Sequence, residues 1–433
     1  MIKHRSTFRW IHKLMQQNNT EIACIRLGKT YIIPVTSPDL AREFLWKQDE
    51  IFASRPEYMS AKLASSDYLT TVLSPVGDQW KKMRRIVASE ILSPAMHRFL
   101  HIKRCEEADH LVRYIYNQCR KNNHGHVNIR VAAQHYCGNV IRKLVFGKRF
   151  FGLGMEDGGP GKEEEDHVES LFTILRFLYG FGIGDFVPWL EVFDFDGHKR
   201  IISKAVNSVR KYQDPEILKR VEMWRKGINK ETEKDILDVL INLKDSKNNP
   251  TLSIQEIKAQ ITEIMLATVD NPSNAVEWAI AEMINQPHIL ENACKELDRL
   301  NYIKSCIKKS FRLHPVAPFN LPHVSIKDTI VGGYFIPKGS HVLVSRPGLG
   351  RNPRIWEDPL KYKPERHIID EEKEATMLLA RLLQGFSWAD PLDGSGCIEL
   401  AESENELLMA KPLIAFAKPR LEPRIYHQLL LSE

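Results

Sequence analysis

The sequence predicts a mainly α-helical fold with small β-sheets near both ends of the chain. Apolar residues recur at helical spacing over most of the length, and strand-like runs are few and short. Ser37-Pro-Asp-Leu-Ala-Arg-Glu opens the first clear helix, with a serine able to cap it and a proline preset for the first helical position. Further helices are expected over 78–92, 95–121, 163–180, 198–227, 253–285, 287–299 and 302–313, and strands over 23–27, 31–35, 329–336 and 341–344.

The segment 253–285 carries the most information. Ser253-Ile-Gln-Glu256 is a capping box, in which serine and glutamate satisfy each other's free backbone donors. Ile254, Ile257, Ile261, Ile264, Met265 and Thr268 then recur at helical spacing. Pro272 falls inside this run. A proline removes one hydrogen bond and crowds the carbonyl four residues back, so the helix is expected to kink or open near 268–272, beside Asp270 and Asn271.

A chain of 433 residues with 43% hydrophobic content is long enough for a large core. No Gly/Ser linker or internal repeat divides it, and Gly158-Gly-Pro-Gly-Lys-Glu-Glu-Glu-Asp166 reads as a surface loop leading into a helix. Its seven cysteines (24, 105, 119, 137, 294, 306 and 397) are scattered without a Cys-x-x-Cys, which suits free thiols better than disulfides or a zinc site. The net charge of +6 is mild. Lys81, Lys82, Arg84 and Arg85 alternate with Trp80, Met83, Ile86 and Val87, so an amphipathic helix, and no nucleic-acid surface, is expected there. His97 and His101 share a helix face but lack a third metal ligand. Phosphate-binding, dinucleotide and serine-nucleophile motifs are all missing from the sequence.

Ala267-Thr-Val-Asp-Asn-Pro-Ser-Asn-Ala-Val-Glu-Trp278 resembles the distal-helix signature of one branch of the cytochrome P-450 superfamily, the plant amino-acid N-monooxygenases. The same resemblance extends through Trp80-Lys-Lys-Met-Arg84, Phe311-Arg-Leu-His-Pro-Val-Ala-Pro318, Gly339-Ser-His-Val-Leu343 and Gly348-Leu-Gly-Arg-Asn-Pro353. It continues in Lys363-Pro-Glu-Arg-His367, Arg381-Leu-Leu-Gln-Gly-Phe386 and Met409-Ala-Lys-Pro-Leu413. These follow in the family's order over nearly the whole chain.

Departures from the pattern matter as much. The family holds its haem through a cysteine on a loop of the form Phe-x-x-Gly-x-Arg-x-Cys-x-Gly. That loop belongs between the Pro-Glu-Arg-His segment and the last helix, yet here His367 is followed almost at once by Met377-Leu-Leu-Ala-Arg-Leu-Leu. A deletion is expected between His367 and Met377. Cys397 does not replace the lost ligand, because Ser395, Asp393 and Asp390 stand at its Arg, Gly and Phe positions. The family's Glu-x-x-Arg reads Lys309-x-x-Arg312, which sets Lys309, Arg312 and Arg366 around one partly buried site. Removing one partner of such a buried network costs about 3–5 kcal/mol. The link at 296–302 is shorter than the family's, and no run of about eighteen apolar residues supplies its N-terminal membrane anchor.

The resemblance implies one cytochrome P-450-like domain over 1–433, incomplete on the proximal side where the cysteine loop belongs. It implies haem b, O2 and an NADPH-dependent flavoprotein reductase, acting on an L-amino acid to give its aldoxime in secondary metabolism. By resemblance Asp270 and Asn271 would serve oxygen activation and proton delivery. Trp80, Arg84 and His323 would hold the haem propionates, and Arg312 and Arg366 would brace the proximal side. With the thiolate gone, a catalytically dead remnant or an incomplete gene model is the alternative. The family sits on the cytosolic face of the endoplasmic reticulum; a chain without the anchor would be soluble. The segments 172–179 and 316–320 are apolar and aromatic, which suits a hydrophobic substrate side chain or a plain core.

Overall fold

The computed structural model of the chain describes residues 6–121, 125–228, 233–298, 300–367, 376–391 and 396–429. The stretch in which the deletion is expected, and the end of the helix expected at 299, lie outside them.

The helix Ile254–Asn285 runs through the middle of the molecule and packs against the helices Ile129–Phe146, Lys162–Phe177, His198–Arg225 and Asn301–Leu313. Its N-terminus carries the expected capping box: Glu256 N–H donates to Ser253 Oγ at 3.2 Å, and Ser253 N–H donates to Glu256 Oε2 at 2.8 Å. The expected opening at Pro272 does not occur. Helical geometry is unbroken to Asn285. Side chains around the proline bond back to the preceding turn: Thr268 to the Ile264 carbonyl (2.8 Å), Asn271 to that of Ala267 (3.3 Å) and Ser273 to that of Val269 (2.7 Å). With these bonds and tight packing of 273–283, one missing N–H is not enough to break the rod.

The other expected helices form with shifted ends. The 78–92 helix is Asp78–Ile86 continued by one wider turn, Val87–Ile91. The 95–121 helix divides into Pro94–Phe99 and His101–Lys121. Helix Ile129–Phe146 was not expected, because its residues are buried on nearly every side and leave no amphipathic stripe. Asn128, whose side chain accepts from Val131 N–H, and Gly147, at φ 68°, are the cap signals that mark its ends.

One sheet has four strands in the order Ile25–Leu27, Thr30–Val35, His341–Val344, His323–Val324. The middle pair is parallel, with Ile32 opposite His341 and Val35 opposite Val344, so the two ends of the chain are joined directly. A smaller core of Ile33, Val35, Phe44, Phe52, Val342 and Val344 lies beneath it. The expected strand 329–336 is a hairpin, Thr329–Val331 with Tyr334–Ile336. It turns at Gly332 and Gly333, whose φ values of +55° and +84° suit a tight two-residue turn. A second sheet of His126–Asn128, Ile414–Pro419 and Phe386–Ala389 is wholly antiparallel.

A buried carboxylate ties the segment 71–73 to the long helix. Glu263 accepts the backbone N–H groups of Thr71 (3.0 Å), Val72 (2.9 Å) and Leu73 (3.1 Å). Glu263→Ala would orphan all three donors, and a loss of about 3–5 kcal/mol is expected in urea unfolding. Glu263→Gln should lose less. An alanine variant within about 1 kcal/mol of the parent would show that water satisfies this loop.

Candidate active site

Asp270 and Asn271 sit side by side on the long helix, each half-buried. The Asp270 carboxyl is pushed up to about 7, chiefly by loss of water, then by the negative charge of Glu406, with Arg346 pulling the other way. Glu406 is paired with Arg176, and Arg346 donates to Asn320 Oδ1 at 2.8 Å. Asp270 can therefore hold or release a proton near neutral pH, as a proton-transfer group must.

The segment 316–320 does not stand open. Phe319 stacks on His12 at 5.5 Å, and His12 Nε2 lies 2.6 Å from Ser345 Oγ. His12 belongs to the helix Thr7–Gln17, whose Arg9 reaches the Ser403 carbonyl at 2.9 Å and Glu402 at 3.2 Å. The apolar spacing Phe8, Ile11, Met15, all buried, was the signal for this helix.

The residues expected to hold propionates fall into two groups. The Arg84 guanidinium is exposed and lies 5.3 Å from the Trp80 ring centroid, while neighbouring Lys82 pairs with Glu256 at 2.7 Å. His323 is half-buried, and its Nδ1 meets the Phe52 carbonyl at 2.7 Å. Burial, and then the charge of Arg55, lower its pKa to about 4, so it is neutral. No described contact brings this histidine onto the Trp80–Arg84 pair.

Arg312 and Arg366 brace backbone rather than a carboxylate. Arg312 donates to the carbonyls of Gly350 and, at 2.8 Å, Pro359, and lies over Trp356 at 4.8 Å. Among the described residues, Arg366 makes one long contact, 3.5 Å, to the Asp358 carbonyl. Lys309 is fully buried, with no hydrogen-bond partner for its ammonium.

Comparison with known proteins places these residues in context. The fold matches that of a zebra fish cytochrome P450 solved with progesterone, at a TM-score of 0.73 over 96% of this chain and 99% of that one; at 19% identity this speaks for the fold alone. The family model for cytochrome P450 matches residues 2–388. Valine N-monooxygenase 1 of Manihot esculenta is 52% identical over 98% of this chain and 86% of its own length. Phenylalanine N-monooxygenase of Arabidopsis thaliana is 51% identical (98% and 89%), and tyrosine N-monooxygenase of Sorghum bicolor 45% identical (98% and 84%). The chain belongs to the cytochrome P450 family.

Membership implies haem as the cofactor, a small-molecule substrate and a redox partner that supplies electrons. The residues present do not fit a thiolate-ligated haem. No cysteine exists between Cys306 and Cys397, so none can stand between the turn Pro364–His367 and the helix Thr376–Gly385. Burial pushes the Cys306 and Cys137 thiols far up, and that of Cys119 to about 11, which keeps all three protonated. Cys397 is exposed beyond the strand Phe386–Ala389.

Proposed function

We propose that this chain is built on the frame of an amino-acid N-monooxygenase, which N-hydroxylates an L-amino acid on the way to its aldoxime. The observation that carries this is identity of 45–52% over 98% of the chain to enzymes named for valine, phenylalanine and tyrosine. Those relatives differ in side chain, so the reading extends to an L-amino acid and not to one particular amino acid. In it, Asp270 is the group that holds or gives a proton at its carboxyl, with Asn271 beside it, and Arg346 and Glu406 set how readily it does so. An NADPH-dependent flavoprotein reductase as electron donor, and residence at the endoplasmic reticulum, belong to the same proposal. No described helix is long and apolar enough to cross a membrane.

A second reading has its own observation: the axial thiolate is missing and a lysine stands where a carboxylate would join two arginines. The chain would then be an inert remnant, or an incomplete version of a longer gene product. The alignment with the Manihot relative supports internal loss, since it runs over 468 positions while 98% of 433 residues is only about 424. About 44 positions of the relative thus face gaps in this chain, room for both a deletion between His367 and Met377 and the shorter link at 296–302.

The deciding experiment is a carbon monoxide difference spectrum of the reduced chain expressed with haem supplied. A red-shifted thiolate band would mean a cysteine reaches the iron, and amino-acid turnover should follow. No band, or one typical of a histidine or neutral ligand, is the expected result and means this polypeptide does not run the family's reaction. Sequencing the transcript between His367 and Met377 would then separate a remnant from a missing exon.

A further inference from the structure

We propose that Lys309, Arg312 and Arg366 form a buried receptor for one small anion, a compact carboxylate or similar oxyanion, between the helix Asn301–Leu313 and the turn Pro364–His367. The two elements pack on each other, and the cations belong to both.

Orphaned donors inside the cluster point to a ligand. Lys309 is 0% exposed and its Nζ has no partner. Arg312 is 9% exposed; its two terminal nitrogens reach the Gly350 and Pro359 carbonyls, but its buried Nε has no partner. Spacing of three residues sets these two side chains on one helix face. His367, tilted against Trp356 at 5.7 Å, also leaves a buried Nε2 unbonded. Unpaired buried cations and donors are costly, and one oxyanion with several lone pairs would satisfy more than one of them.

Among the described residues, the acids nearby are engaged elsewhere. Glu282, on the long helix, gives one oxygen to His314 Nε2 at 2.7 Å and the other to Gln286 at 3.1 Å. Glu365 accepts from Tyr302 at 2.6 Å, and Asp358 pairs with Lys363 at 2.8 Å and Lys361 at 3.2 Å. Among the described residues, no carboxylate bonds to Lys309 or to Arg312 Nε. Full burial of Lys309 restricts the occupant to something small.

The other escape open to this cluster is loss of the Lys309 proton. Desolvation, then the charges of Arg312 and Arg366, lower its pKa to about 7, with Glu282 pulling the other way and Lys363 adding least. An anion would oppose that shift, so the two escapes give different results.

The test is thermal unfolding of the full chain in sodium formate against sodium gluconate, a carboxylate too bulky to enter, at equal ionic strength. Formate is expected to raise Tm saturably, by about 3 °C at a hundredfold excess over its Kd. The rise should be absent in Lys309→Met. It should also weaken in the unaltered protein as pH climbs from 7 to 9, about tenfold in apparent Kd per pH unit, as Lys309 loses its charge. No saturable rise over gluconate overturns the proposal. So does a rise that persists in Lys309→Met, or one that is indifferent to pH in the unaltered protein.

Discussion

Exchange of Lys309 for glutamate is expected to stabilise the protein by about 3–5 kcal/mol near pH 7, the scale of a buried charge regaining its partner. The acceptors change and the donors do not. A carboxylate at this position meets Arg312, whose Nε is now unsatisfied, and Arg366, which has one long contact to a carbonyl. Charge-assisted bonds to two guanidinium groups replace repulsion among three cations. Unfolding entropy scales with length, so for 433 residues the gain corresponds to a Tm rise on the order of 4 °C. The pH dependence identifies the source. Lys309 has a folded pKa of about 7, against 10.5 as its ordinary value. Between those limits the unfolded chain binds the extra proton, so stability of the parent climbs with pH across the window. The glutamate variant lacks that climb, and its advantage should shrink toward pH 10. A variant no more stable than the parent at pH 7 would mean that backbone carbonyls already satisfy the two arginines.

What the sequence shows of this molecule is the part written in local chemistry. The capping box at Ser253 and Glu256 forms as expected because both partners lie within one turn. The strand 341–344 forms where a short run of valines and leucine puts it. Pro272 does not open the helix, because this one is packed along its length and bonded back by Thr268, Asn271 and Ser273. The helix Ile129–Phe146 is hidden for the opposite reason, since a segment buried all round has no polar face to set a period. Strand His126–Asn128 is three residues long and exists by pairing with Ile414–Pro419 from the far end of the chain. The site divides in the same way. Asp270 and the Lys309 substitution stand out from motif order, whereas the contacts that shape them do not. The charges of Glu406 and Arg346 act on Asp270 from other elements, and His12 covers Phe319 from the opposite end of the sequence.

Asp270→Asn is expected to leave the protein unchanged near pH 4 and to stabilise it at pH 8. The carboxyl has a folded pKa of about 7 against an ordinary 3.8. Between these values the folded state keeps a proton that the unfolded state releases, so parent stability falls as pH rises through the window. Three pKa units correspond to about 4 kcal/mol, an upper figure for a half-buried group beside the partly compensating Arg346. Asparagine carries no titrating group and little change in volume, so its stability curve should lack that fall. Urea unfolding of both proteins from pH 4 to pH 8 measures the difference directly. Parallel curves would place Asp270 in contact with water and remove the basis for its proposed role as a proton carrier. Curves that diverge between about pH 4 and pH 7 and run parallel above that would support it. The group would then change protonation at the pH the proposed role requires, set by a partly desolvated helix face and by the charge of Glu406. This result is independent of haem, because it reads the carboxyl's environment in the polypeptide itself. It therefore tests whether the distal half of the site is still tuned for proton transfer in a chain whose proximal half has no thiolate to offer.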